Sequence, residues 1–251
     1  MGLSVYLANN ILEDADGFTM SSEDTAYPIA NAYDEEAANP VRWASISAAT
    51  VEADISVTGY ASMFALINHN LTSAATIVLK AGNSSPASNV LSSPAWRQYD
   101  LYGTFSGVTY RYWRLEITDT NPNNIAIGEI KIGTKVTLNA KPTYGFTQGR
   151  RYGKVEQETE RGAKYRYNLF TRVFKEYQYA TLLDSHIAEF DTLDQVVLGD
   201  GKPFVFVPNE DLDEVLYVRK QTGHVMKNRT YNQWEYTLEL EAESRGINIL
   251  E

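Results

Sequence analysis

The sequence predicts a mainly β protein in two parts, a β-sandwich over residues 1–138 and an α+β barrel with one flanking helix over residues 139–251. Three observations carry this expectation. Residues 112–117 alternate, with Trp113, Leu115 and Ile117 set against Tyr112, Arg114 and Glu116, so one face of a strand is apolar and the other polar. Short apolar runs recur between Asp/Asn/Ser/Pro clusters through the first half, which is the rhythm of an all-β fold. Beyond residue 140 the pattern becomes a strand, a helix-spaced run and three further strands, the order of a small α+β unit.

Taken in order, Tyr6-Leu7-Ala8 opens a short strand, and residues 21–45, SSEDTAYPIANAYDEEAANPVRWAS, read as loop punctuated by Pro28 and Pro40. Ala53 to Val57 alternates. Met63 to Ile67 is a nearly continuous apolar run, as expected of a strand buried in the sandwich. Ile77, Val78 and Leu79 form the next strand. The following AGNSSPASNVLSSPAW is a Ser/Pro/Asn loop with little to bury before Trp96, and loops of that length are usually functional or disordered. Ile125 and Ile127, then Ile130 and Ile132, change parity across Gly128, which predicts a bulge or bend there. Trp43 and Trp113 belong to the core.

In the second half, YRYNLFTRVF (165–174) alternates as a strand. KEYQYATLLDSHIAEF then shifts to helical spacing through Tyr179, Leu182, Leu183, Ile187 and Phe190, predicting an amphipathic helix of about three to four turns. A GDG turn at 199–201 leads to the strands KPFVFVP, DEVLYVRK and TYNQWEYTLELEAE. Near the start of this second part, Arg150, Arg151 and Lys154 precede Glu156, Glu158 and Glu160, and Arg161, Lys164 and Arg166 follow. Opposite charges in blocks could dock this segment on a neighbouring copy, setting register more than affinity. The alternative is an exposed loop whose charges keep it soluble.

Composition excludes several classes. The formal net charge of −10 argues against general nucleic-acid or anionic-membrane binding, whose phosphate-driven part needs a net or local excess of Lys and Arg; a local basic patch stays open, and no specific nucleic-acid partner is expected. Cysteine is absent, so a disulfide scaffold and a thiolate metal site are excluded. No stretch approaches the roughly 20 apolar residues of a membrane span, so membrane insertion is not expected. The N-terminal residues lack a basic segment before an apolar one, so synthesis inside a cell is expected and the Asn-x-Ser/Thr matches at Asn70, Asn83 and Asn228 read as chance.

Motifs for catalysis are missing. His69, His186 and His224 fall on separate elements, and only His186 has a carboxylate at helical spacing, Glu189. A lone His-x-x-Glu reads as a surface helix histidine rather than a metal site. No nucleophile elbow, phosphate loop or dinucleotide fingerprint occurs, and the adjacent acids Glu35/Glu36 and Asp213/Glu214 sit in turns, so no enzymatic activity is expected.

Over roughly residues 3–133, AYPIANAYDEE before Arg42-Trp43, a strand ending in Asn68-His69-Asn70-Leu71, the run YRYWRLEIT and a closing GEIKIG resemble, in this order, discoidin-type (galactose-binding-like) domains. The His-Asn-Leu variant is similar to modules of bacteriophage tail proteins. The resemblance implies a jelly-roll sandwich that binds surfaces rather than catalyses. It implies a structural calcium at Asp34, although Glu35, Glu36 and Val41 stand where small residues and a Thr or Ser are usual, and a solvated acidic turn is the alternative. It also implies sugar binding by loops at one end, for which Trp96, Arg97 and Tyr99 are the candidates; the alternative is that Trp96 pins its loop to the sandwich.

The order of elements in 140–245, with PFVFVPN and WEYTLELEAE, resembles the tube-type barrel of phage tail tube, distal tail and baseplate hub proteins. Such domains pair sheets between subunits to form rings. The expectation is therefore a structural virion protein of a phage tail tip, made in the bacterial host cytoplasm. It would form a ring of three or six copies that contacts other tail tube, hub or baseplate proteins and needs no cofactor. The alternative is a glycan-binding adhesion module that recognises host-surface carbohydrate.

Overall fold

The computed structural model describes residues 3–243 apart from 8, 46, 121–122, 144–145, 159–163, 198–200, 212–213 and 222–224; of 153–157 and 166–171 it describes the backbone alone. In chain order the first strands are β1 (Ser4–Leu7), β2 (Gly17–Met20), β3 (Val41–Arg42), β4 (Ala48–His69), β5 (Thr76–Gly82), β6 (Asn89–Ser92), β7 (Tyr99–Thr118), β8 (Ala126–Ile127), β9 (Glu129–Gly133) and β10 (Val136–Leu138). Then follow β11 (Thr147–Glu158), β12 (Lys164–Leu182), α1 (Asp184–Val196), β13 (Phe204–Val207), β14 (Leu216–Lys220), β15 (Met226–Thr230) and β16 (Gln233–Ala242). The protein is mainly β, and it divides into two compact units, Met1–Thr137 with Phe204–Leu216, and Leu138–Pro203 with Tyr217–Ser244.

The first unit is a sandwich built on two long strands. The alternating run at 53–57 and the apolar run at 63–67 belong to one strand, β4, which pairs with β7 from Ala48↔Thr118 to His69↔Tyr99. A straight strand of this length would run about 70 Å. Instead its two ends meet at Asp119, whose backbone N–H donates to Ser47 O (2.9 Å) and whose Oδ2 accepts from Thr72 N–H (2.8 Å). The bend lies between Asp54 and Gly59, where pairing is interrupted and Ser56 takes a left-handed φ of 56°. The first half of β4 joins β2 and β7, which in turn carries β5 and β6; the second half pairs with β9.

Both layers face one core. Val51, Ala53, Trp113, Leu115, Ile117, Ile77 and Leu79 come from the first layer, and Phe64, Leu66, Leu101, Ile130 and Ile132 from the second. Trp43 and Trp113 are buried as expected, their indole N–H groups donating to Thr50 O and Tyr110 O at 3.1 Å. Gly128 sits between β8 and β9, donates to Ile67 O (3.0 Å), and a Cβ there would come within 2.1 Å of Ala37 O. This close approach explains the parity change. The edge of β9 is completed by the Asn10 side chain, which donates to Ile130 O (2.9 Å) and accepts from Ile132 N–H (3.1 Å). The region expected to be all loop before Trp96 contains β6, because Ala87 is buried and Lys80↔Val90 pairing extends the sheet.

The strand expected of KPFVFVP forms as β13 and pairs with β1 within the first unit, Val5↔Val207, Tyr6↔Phe206 and Leu7↔Val205. Ser4 Oγ donates to Pro208 O (2.7 Å), and the Tyr6 and Phe204 rings meet edge to face at 6.3 Å. Pairing over about 200 residues of sequence leaves no local trace.

In the second unit the sheet runs β11, β12, β16, with β14 and β15 on the far edge of β16. It is an open order, and among the described residues the expected barrel does not close. The helix begins later than its periodicity predicts. Tyr179 and Leu182 lie in β12, where Lys175, Tyr177 and Tyr179 are buried at period two and Tyr179 pairs with Tyr236. The start of α1 is fixed at Asp184, whose N–H donates to Asn232 Oδ1 (2.9 Å) and whose Oδ1 accepts from Trp234 Nε1 (2.6 Å). The helix then lays Phe190 between Tyr179 (4.9 Å) and Tyr236 (4.8 Å). Its Asp194 pairs with the fully buried Lys220 of β14.

A fragment ending at residue 138 keeps β1 but lacks β13, so Val5, Tyr6 and Leu7 lose their pairing partner. Calorimetry of that fragment should show no cooperative transition, and appending residues 203–216 through a flexible linker should restore one. Identical traces for the two fragments would contradict the assignment.

Candidate functional site

The loop from β6 to β7 leaves the sandwich at the end where the termini of β4 meet, and it is fastened at three points. Ser93 Oγ donates to Ile77 O (3.0 Å), Trp96 Nε1 donates to Leu71 O (2.9 Å), and Asp100 Oδ1 accepts from Asn68 N–H (2.8 Å). Between these anchors Tyr99 is held at φ 72°, a left-handed conformation that costs a tyrosine energy and persists because the Asp100 N–H to Gln98 O bond (2.9 Å) closes the turn. The loop is fixed rather than free.

The three expected sugar-contact residues lie on this fastened segment. Trp96 is partly buried against the core, so its pinning role is real, and it remains partly exposed. The Arg97 guanidinium lies over the Tyr102 ring at 4.9 Å. Trp96, Arg97, Tyr99 and Tyr102 are all partly exposed. Tyr102 was not singled out in the sequence; it enters through the stacking of Arg97 on its ring, a contact between residues five apart. The surface offers aromatic faces and a partly exposed guanidinium whose Nη1 is buried, a combination suited to a ligand with both C–H faces and hydroxyls.

Neighbouring polar groups are committed to structure. Asn70 Oδ1 accepts from Ala126 N–H (2.9 Å) and its Nδ2 donates to Asn124 O (2.8 Å), mimicking a strand. His69 Nδ1 accepts from Leu71 N–H (3.3 Å), and burial holds its imidazole down at about 4, opposed by the backbone at Arg97 and by Asp119. His186 is likewise a capping residue, its Nδ1 accepting from Leu183 N–H (3.3 Å), while Glu189 holds the Asn139 N–H and amide at 2.8 and 2.6 Å. His224 lies outside the described residues.

Asp34 does not fit the calcium ion implied for it. It is exposed, its Oδ1 accepts from Glu36 N–H (2.9 Å) and its Oδ2 from Asn39 Nδ2 (3.0 Å), the bonding of a turn-capping carboxylate. Calcium takes six to eight oxygens, and among the described residues no three His, Asp or Glu side chains gather into a group able to hold a metal.

The charged segment is only partly described. Arg150 is exposed, and Glu158 pairs loosely with Lys164 at 3.8 Å across the end of β11 and β12. Arg151 turns onto its own sheet, pairing with Glu239 and with Glu241 (2.9 Å), and these carboxylates raise its pKa. The side chains of Lys154, Glu156 and Arg166, and all of Glu160 and Arg161, lie outside the described residues.

Neither a protein-family model nor a curated protein sequence matches this chain. Solved structures similar to it include the family 32 carbohydrate-binding module of Clostridium perfringens NanJ in complex with galactose (11% identity, TM-score 0.42, covering 53% of this chain and 100% of that one). A second C. perfringens CBM32 module, in complex with GalNAc-β-1,3-galactose, is 9% identical (TM-score 0.43, 51% and 99% covered). Chitosan-binding module 2 from a Paenibacillus sp. IK-5 chitosanase/glucanase, in complex with chitotriose, is 17% identical (TM-score 0.40, 49% and 99% covered).

The depressed His69 pKa has a defined consequence. Between about 6.5 and about 4 the unfolded chain binds a proton that the folded one refuses, so stability falls as pH drops through that window, by up to about 3 kcal/mol. Urea unfolding at pH 7 and pH 5 should show a steeper loss for the natural protein than for His69→Gln; the difference isolates His69 from the acids that titrate nearby.

Proposed function

We propose that the first unit binds carbohydrate through the surface formed by Trp96, Arg97, Tyr99 and Tyr102. The observation that carries this reading is the fastened loop: three rings and a guanidinium, all partly exposed, are held in place before any ligand arrives. A pre-ordered aromatic and arginine surface loses little side-chain entropy on binding, which is what a weakly held, hydroxyl-rich ligand requires. A pyranose would stack its C–H face on an aromatic ring and direct hydroxyls to Arg97.

A second reading keeps the protein in a phage tail tip, assembled into a ring of three or six copies and displaying the sandwich. One observation favours it: among the described residues β11 is paired on one side only, leaving a long strand edge to be covered by another chain. The absolute mass of the full-length protein by light scattering should then be that of a closed ring, and reversing the charges of Arg150, Glu158 and Lys164 should disperse it. A protein that stays monomeric with and without those changes would remove this reading.

The test of the first reading is a glycan array carrying galactose-terminated and N-acetylgalactosamine-terminated glycans and chitotriose. Full-length protein should bind a defined subset, and Arg97→Ala should weaken that binding by about tenfold or more while leaving thermal unfolding unchanged. Equal binding by the variant, or no binding by the natural protein, would count against it.

A further inference from the structure

The run Asn68-His69-Asn70-Leu71 leads out of β4 and gathers the loops at this end of the sandwich. Asn68 N–H donates to Asp100 Oδ1 (2.8 Å), Asn70 holds Asn124 and Ala126, and the Leu71 carbonyl accepts from Trp96 Nε1 (2.9 Å). His69 is buried and stands opposite Tyr99 in the pairing of β4 with β7. Its Nδ1 accepts from Leu71 N–H (3.3 Å), the bond to the residue two further on that an Asn or Asp side chain makes in an Asx turn. Such a bond forms only while Nδ1 is bare, so the single proton of the neutral ring sits on Nε2. The ring is neutral at pH 7, because burial holds its pKa down at about 4 against the Arg97 backbone and Asp119, which favour a bound proton.

The consequence reaches Trp96 through one peptide plane. The Leu71 carbonyl and the Thr72 N–H belong to the same planar unit and point in opposite directions. Asp119 Oδ2 accepts from that N–H (2.8 Å), and the same carboxylate accepts from the Thr72 hydroxyl. The plane is thus gripped at its N–H edge by Asp119, set in angle by the His69 bond one residue earlier, and left with its carbonyl edge toward the indole. We propose that His69 is the positioning residue of the carbohydrate surface: as the Nε2–H tautomer it shapes the turn at Leu71 and, with Asp119, aims the Leu71 carbonyl at Trp96. Its purpose rests on the carbohydrate reading, whereas the placement of Trp96 can be measured without a ligand. The bland alternative is a buried histidine that supports the whole sandwich equally.

Two variants of the full-length protein separate these roles. His69→Leu fills the space but removes the acceptor, and His69→Asn puts an oxygen where Nδ1 stood. In His69→Leu the Trp96 indole N–H should exchange with solvent about five- to tenfold faster than in the natural protein while the Trp43 and Trp113 indoles keep their rates, and His69→Asn should return Trp96 to within about twofold. A Trp96 indole that keeps its natural rate in His69→Leu, or three indoles that accelerate alike, would overturn the proposal. Should His69→Leu fail to fold, the natural protein decides: a long-range proton–nitrogen correlation spectrum at pH 7 should show His69 protonated on Nε2 with Nδ1 bare, and a proton on Nδ1 would overturn the proposal. On the glycan array His69→Leu should bind about threefold more weakly or worse and His69→Asn as the natural protein does; equal binding by His69→Leu would count against the positioning role. A natural protein that binds no glycan removes the carbohydrate reading, and the indole exchange still decides what places Trp96.

Discussion

The closure of β4 upon itself is the constraint on which the first unit depends. Its ends are joined through Asp119, a buried residue that donates to Ser47 and accepts from Thr72. Once those ends coincide, β7, paired with β4 along its length, must bend with it, and one pair of strands supplies both layers of the sandwich. The loops leaving the ends of β4 and β7 are then gathered at one place. That is why residues far apart in sequence, Leu71 and Trp96 or Asn68 and Asp100, fasten one surface. The bend itself needs local permission, given by the interrupted pairing and the left-handed Ser56.

The strands whose faces differ in polarity were legible. Trp113, Leu115 and Ile117 alternate because one face of β7 is buried, and the shift across Gly128 marked a real close approach. Residues 175–190 misled because Tyr179, Leu182, Leu183, Ile187 and Phe190 satisfy a helical period, while the strand buries both Tyr179 and Leu182, three apart, only by a register shift between them. What decides between them is β16, which pairs with Tyr179, and Asn232 and Trp234, which fix Asp184; none of these is adjacent in sequence. The pairing of β1 with β13 escaped for the same reason. In GEIKIG, alternation correctly separated Ile130 and Ile132 from Glu129 and Lys131, but it cannot say whether the polar face meets water, and here it does not. Of the candidate site, Trp96, Arg97 and Tyr99 were visible as composition; Tyr102 became visible only through the ring under Arg97.

The second unit shows charge used for internal order. Arg151 and Arg172 converge on Glu241, Arg219 pairs with Glu243, and the buried Lys220 holds Asp194 of α1. Arg151 is thereby turned onto its own sheet, whereas Arg150, Glu158 and Lys164 of the same segment stay exposed.

The central claim is that the loop end of the sandwich, and not another face, meets carbohydrate. The four tryptophans give four indole N–H resonances, of which those of Trp43 and Trp113 report the closed core. Titrating the isotope-labelled protein with the glycan it binds best should shift the Trp96 indole and the amides of residues 96–102 while the Trp43 and Trp113 signals stay in place. Saturable shifts confined to another face, with residues 96–102 unmoved, would contradict the account.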